Sequence, residues 1–205
     1  FNINDCIKLF KIHKMILQDK NTPARGSSYH KRVSVASKTI LEKNNDVVIK
    51  RFLEEGDRFS SPDDWLIEYN KLRKWDNRYI EVYDVGNNFI KMKYIPTFFH
   101  FNSVMAGDTF HDIDVRLRLI SDYIDILSTA HCYVSESNST FIHNDLHPSN
   151  IMVDEKNKLV IIDPDSCDKI NMLMNPQAVP KLISYYSMAI HTYYNLLCVG
   201  NKVVS

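Results

Sequence analysis

Three oxygen-bearing side chains, Asp145, Asn150 and Asp163, are the residues of this sequence best suited to chemistry. Asp145 and Asn150 fall in FIHNDLHPSN (141–150), and Asp163 ends LVIID (159–163). An amide oxygen and a carboxylate with no cysteine beside them suit a hard divalent cation such as Mg2+, which takes few protein ligands and fills its shell with water and phosphate oxygens. Asp145 sits on the same loop as Asn150 with its carboxylate free of the metal, where a base orienting an attacking hydroxyl is needed. The histidines offer a different chemistry. His143, Asp145 and His147 read H-x-D-x-H, a spacing that resembles metal-hydrolase zinc sets. That set needs a further ligand from another loop, and neither His111 nor His131 lies among clustered partners. His143 follows the apolar pair Phe141-Ile142 and reads instead as a scaffold that hydrogen-bonds backbone.

These side chains work together only if the chain folds back between them. IMV and LVIID flank the polar DEKNK, a hairpin pattern that brings Asn150 at its start next to Asp163 at its end. Upstream, Ile113 onward carries Leu119, Ile120, Tyr123, Ile124, Leu127, Ala130 and His131 at helical spacing behind Asp112 or Asp114. SSPDDWLIEYNKLRKW predicts a helix over 62–75, with Ser61 as N-cap, Pro62 at the first helical position and Asp63 and Asp64 against the positive end of the dipole. Trp65, Tyr69, Leu72 and Trp75 form its apolar stripe. An antiparallel sheet is predicted over 29–52. YIEVYDV and NNFIKMKYI read as two strands turned at Gly86-Asn87-Asn88 and stopped by Pro96. Helices are predicted at 3–18, before the break NTPARGSS, and at 178–199.

The bulk numbers fit this organisation. A chain of 205 residues supports one well-buried domain or two small lobes sharing a cleft. With 25 basic and 25 acidic side chains the net charge is zero, so no field holds a polyanion and nucleic acid is not expected as a partner. Cys6, Cys132, Cys167 and Cys198 are far apart without a C-x-x-C pair and read as reduced thiols. No basic segment followed by an apolar one opens the chain, and the apolar run 182–199 is interrupted by serines, a histidine and an asparagine. It reads as a buried helix, not a membrane span, and the expected location is cytoplasmic. The abundance of Asn, Lys, Ile and Tyr suits an AT-rich genome such as that of a virus, in which case the location is the host cytoplasm.

H-x-D-x-x-x-x-N followed by a hairpin and I-D resembles the catalytic and metal-binding loops of the protein-kinase-like superfamily. HNDLHPSN with IDPD is most similar to its atypical branches, aminoglycoside and choline kinase-like phosphotransferases and small phage-encoded serine/threonine kinases. The resemblance extends upstream. Val47-Val48-Ile49-Lys50 is similar to the V-A-I-K strand, Glu68 stands where a helix glutamate would turn to that lysine, and VYDVGNNFIKMKYIP resembles two strands entering a hinge. It implies a nucleotide site with Gly26, Ser27 and Ser28 in the phosphate loop, Val33 or Val35 on the adenine, and Met92 and Tyr94 near the hinge. Asp165 would then be a second metal ligand or a cap for the next segment. The sequence also departs from the family pattern. One glycine, Gly26, replaces two or three, Asp163-Pro164-Asp165 replaces D-F-G, Asn144 stands where many protein kinases have Arg, and no A-P-E follows, so no phosphorylation-gated activation loop is expected.

The implied fold is α+β, a single two-lobe protein-kinase-like domain over 1–205. Its N-lobe of antiparallel sheet spans about 1–94, its hinge about 94–97, and an abbreviated helical C-lobe about 98–205. The implied activity is Mg2+-dependent transfer of the γ-phosphoryl group of ATP to a hydroxyl. Asp145 is the base, Asn150 and Asp163 the metal ligands, Lys50 the partner of the α- and β-phosphates, and Glu68 the partner of Lys50. The short helical segment after Asp163 favours an open cleft taking a protein serine or threonine. The alternatives are a small-molecule kinase of the aminoglycoside or choline kinase type and a pseudokinase acting as a binding module.

Overall fold

The computed structural model describes residues 39–53, 57–107, 112–137, 141–169 and 178–203, all within the unit Lys38–Ser205. The predicted helix 3–18, the loop with Gly26, Ser27 and Ser28, Val33, and the sheet expected over 29–38 lie outside the described residues.

Branched and aromatic residues on either side of short Asn-rich turns build the first sheet. β1 (Thr39–Asn44) and β2 (Val47–Phe52) turn at Asn45, whose φ of 52° is a left-handed conformation that Asn tolerates. β3 (Val82–Gly86) and β4 (Phe89–Lys93) turn at Asn87-Asn88, and the four strands are antiparallel in the order β1-β2-β4-β3. Gly86 serves close approach: a Cβ there would stand 2.1 Å from the Phe89 ring. The register sets Val48 opposite Met92 and Lys50 opposite Ile90, so these four side chains share one face of the sheet.

Helix α1 (Pro62–Trp75) begins at Pro62, as its signals predict. Ser61 stands at the N-cap position, its carbonyl accepting from the Trp65 N–H at 3.0 Å, but its side chain does not cap the helix; its hydroxyl donates to Asp64 Oδ2 at 2.7 Å. Trp65, Tyr69 and Leu72 are buried, each contributing roughly 1.5–3 kcal/mol by leaving water. Trp75 departs from the predicted stripe: it is 41% exposed, with its indole N–H donating to the Thr129 carbonyl at 3.3 Å. Trp65 stacks on Tyr69, meets Phe59 and Phe141 edge-on, and donates from Nε1 to the Cys167 carbonyl at 2.9 Å.

Pro96 ends the first sheet, but the chain goes directly into a strand that no sequence signal marks. β5 (Thr97–His100) leads to the short helix α2 (Phe101–Ala106), stopped by Gly107 at φ 87°. Helix α3 (Ile113–Ser137) buries Leu119, Ile120, Tyr123, Ile124 and Leu127, whereas His131 is exposed. Then come β6 (Phe141–His143), a 3-10 turn at Pro148–Asn150, β7 (Ile151–Asp154), β8 (Leu159–Ile161), a second 3-10 turn at Pro164–Ser166, β9 (Cys167–Lys169) and helix α4 (Ala178–Val203). β5, β7 and β8 form a second antiparallel sheet, and β6 pairs with β9. The molecule is a mixed α+β protein with antiparallel sheets and helices. Among the described residues no helix is long and apolar enough to cross a membrane.

Candidate active site

The β7–β8 hairpin does what its spacing demands. Ile151 pairs with Ile161, and beyond that pair the Ile162 N–H donates to the Asn150 carbonyl at 2.9 Å, so Asn150 and the residue before Asp163 are directly bonded. The Asn150 side chain turns its Nδ2 to Asp145, donating to the main-chain carbonyl at 2.9 Å and to Oδ2 at 3.2 Å. Asp163 adopts the left-handed conformation, φ 64° and ψ 53°, ahead of the Pro164–Ser166 turn, whose Ser166 hydroxyl donates to Asp163 Oδ2 at 2.8 Å. One amide oxygen and one carboxylate, brought together by a hairpin, are the hard donor set that Mg2+ takes, so these residues fit that ion.

His143 is consumed by the scaffold. It is buried, its Nδ1 accepts from the Asp145 N–H at 3.2 Å, and its Nε2 donates to the Ile162 carbonyl at 3.0 Å. Burial holds its pKa below the ordinary histidine value, so the ring is neutral and pins the loop to the hairpin. His147 accepts from the Ser149 N–H and hydroxyl through Nδ1 at 3.2 and 3.1 Å. Among the described residues no group of three or more His, Cys, Asp or Glu is placed to hold a metal, so the H-x-D-x-H spacing does not translate into a zinc cage there. Asn144, from the position where many protein kinases have Arg, donates its N–H to the Ser166 carbonyl at 2.9 Å and buries its side-chain oxygen without a partner among the described residues.

Lys50 reaches across from β2. Its Nζ stands 2.5 Å from Asp163 Oδ1 and 2.7 Å from Asp165 Oδ1, with the lysine side chain 12% exposed. Burial presses the ammonium pKa down, but the two carboxylates outweigh it and leave Lys50 above its ordinary value. Burial likewise works to raise the Asp163 carboxyl, yet the hydrogen bond and charge of Lys50 hold it below the usual carboxylate range. Asp165 goes the other way: burial, and then the neighbouring Asp163 charge, raise its pKa against the pull of Lys50.

The expected Lys50–Glu68 pair is not made. Glu68 accepts from Lys71, one helical turn on, at 2.8 Å, and Asp165 holds the place at Lys50 that the helix glutamate was expected to take. Replacing the Phe-Gly of D-F-G with Pro164-Asp165 is what supplies that second carboxylate. Glu68 and Asp165 both line a cavity of about 270 Å3 between the start of α1 and β9, walled also by Arg58, Trp65 and Lys169. Asp165 is further fixed by Arg58 Nη2, which donates to its carbonyl at 3.1 Å. Of the nucleotide-site candidates, Met92 is buried on the Lys50 face of the sheet, and Tyr94 carries the Lys43 ammonium 3.6 Å from its ring centroid. Gly26, Ser27, Ser28 and Val33 lie outside the described residues.

One site residue has no sequence signal. Tyr185, on α4, donates from Oη to Asp145 Oδ1 at 2.8 Å. Nothing local in the sequence marks it, since only the fold brings a residue forty positions away to the loop. A comparison with curated proteins gave no match. Residues 106–174, which run from the last residue of α2 through Asp145, Asn150 and Asp163 to beyond β9, match the APH phosphotransferase enzyme family, and that match, over about a third of the chain, implies a kinase-like fold and a kinase-type enzyme.

Proposed function

We propose that the protein is an ATP- and Mg2+-dependent kinase that transfers the γ-phosphoryl group to the hydroxyl of a small molecule. The observation that carries the reading is the convergence of Asn150, Asp163 and Lys50 at the end of the β7–β8 hairpin, with Asp145 on the adjoining loop. In this reading β1–β4 with α1 form the N-lobe, residues 94–97 the hinge, and the remainder the C-lobe. Asn150 and Asp163 would hold Mg2+, which would neutralise phosphate charge. Lys50 leaves its carboxylate partners for the α- and β-phosphates, with Met92 and Tyr94 toward the base. Asp145 orients the acceptor hydroxyl and accepts its proton as the oxygen attacks the γ-phosphorus and ADP departs. Positioning and charge account for most of the rate, because a loose phosphoryl transition state needs little covalent help.

Two observations favour a small acceptor over the protein serine or threonine expected from sequence. The stretch around Asp145 matches the APH family, and α4 brings Tyr185 to the carboxylate that would orient the acceptor. Incubation with labelled ATP and either small hydroxylated amines and aminoglycosides or a protein lysate separates the two; label in protein alone would return the protein-kinase reading. Asp163→Ala is expected to lower Mg2+-dependent ATP turnover by on the order of 10²–10³-fold with an unchanged circular dichroism spectrum. Undiminished transfer in that variant ends the kinase reading.

A further inference from the structure

We propose that Tyr185 is a positioning residue for the base of phosphoryl transfer, so that the C-terminal helix is part of the reaction machinery and not only a packing element. The inference rests on the kinase reading above. Asp145 is held on both carboxylate oxygens: Oδ2 accepts from Asn150 Nδ2 at 3.2 Å, from within its own loop, and Oδ1 accepts from Tyr185 Oη at 2.8 Å, from α4. A carboxylate bonded on one oxygen alone still swings about χ2; bonded on both it is fixed in its plane. Each oxygen has a second lone pair, so an acceptor hydroxyl can still donate to a carboxylate whose orientation is already set.

The helix is itself well anchored. α4 packs along α3 and buries Tyr186, Ala189 and Leu196. From α3, the fully buried Tyr123 donates to the Leu146 carbonyl at 2.8 Å. The two packed helices therefore grip consecutive residues of the catalytic loop with two phenols, one on the backbone of Leu146 and one on the carboxylate of Asp145. The Tyr185 ring also meets His147 edge-on at 5.6 Å, so the phenol is braced against the same loop that it orients. Tyr123 has a purely structural target. Tyr185 spends its hydroxyl on the reacting group.

Tyr185→Phe keeps the ring and its contact with His147 and removes only the donor. The expected result is a fall in kcat of about ten- to a hundred-fold, the worth of a hydrogen bond to a charged group, with the KM for ATP and the circular dichroism spectrum unchanged. An unchanged kcat overturns the proposal, as does phosphate found by mass spectrometry on Tyr185 after incubation with Mg2+ and ATP, because the hydroxyl would then be an acceptor. The bond can also be read without turnover, in a urea-denaturation cycle of Asp145→Asn, Tyr185→Phe and the double variant. A non-additive midpoint is expected, and additive shifts overturn the proposal. Wild-type protein inert toward ATP, but with that coupling intact, removes the kinase reading and leaves the Tyr185–Asp145 clamp standing as a structural fact.

Discussion

At the scale of single residues, the unusual feature is an ammonium shared by two carboxylates two positions apart. Lys50 bonds Asp163 and Asp165, while Glu68 spends its charge on Lys71 at the surface. If Asp163 holds a metal, as proposed, Asp165 would be the acid left beside Lys50. Asp165→Asn is therefore expected to raise the KM for ATP about tenfold with the Mg2+ requirement unchanged, and Glu68→Gln to change it less than about threefold. Titrating activity against Mg2+ in both variants checks this. A raised Mg2+ requirement in Asp165→Asn would make Asp165 a metal ligand, and a large loss in Glu68→Gln would mean that the helix glutamate reaches Lys50 in the nucleotide complex. The sequence made Lys50, Asp145, Asn150 and Asp163 legible because each sits in a short run whose spacing encodes its geometry. It left two uses open for Asp165 and gave none for Tyr185, since both partnerships form between elements far apart in the chain.

At the scale of elements, legibility tracks the strength of local signals. α1 begins at Pro62 because a fixed φ and a missing N–H suit the first turn, and the hairpins β1–β2, β3–β4 and β7–β8 follow from apolar runs around Asn-containing turns. β5, β6 and β9 have three or four residues each, too few to show a period, and pair with strands far along the chain, Phe99 with Val153 and His143 with Cys167. The β6–β9 ribbon matters all the same, because the loop that carries Asp145 leaves from its end. Trp65 ties α1 to it through the bond from Nε1 to the Cys167 carbonyl and the edge contact with Phe141. Trp65→Phe keeps most of the ring area and strands that buried carbonyl, so a loss of about 1–3 kcal/mol is expected in urea denaturation. A change within a few tenths would show that the indole bond does not hold the helix to the ribbon.

At the scale of the molecule, Arg78 ties the segment after α1 to the helical half, as Lys50 ties β2 to Asp163 and Asp165. Arg78 follows α1 in a tight turn and donates bidentately to Asp76, from Nε at 2.8 Å and from Nη2 at 2.8 Å, then reaches α3 at Asp125 Oδ2, 2.7 Å, and Thr129 Oγ1, 3.2 Å. The two ends of this bridge differ in solvation. Asp76 is 6% exposed, whereas the Asp125 side chain is 63% exposed. Burial alone would press the Arg78 pKa down, but Asp76 and then Asp125 outweigh it, so the group is charged throughout the working pH range. Removing the guanidinium leaves a buried carboxylate short of its strongest donors, which costs far more than losing a screened surface pair. Arg78→Ala is thus expected to lose about 2–4 kcal/mol, and Asp125→Asn under about 1 kcal/mol. Arg78→Lys should recover little of the loss, because an ammonium cannot reproduce the planar fork on Asp76. Thermal and urea unfolding of the three variants tests the order. Equal losses in Arg78→Ala and Asp125→Asn would shift the junction to its exposed end, and full recovery in Arg78→Lys would reduce it to charge alone.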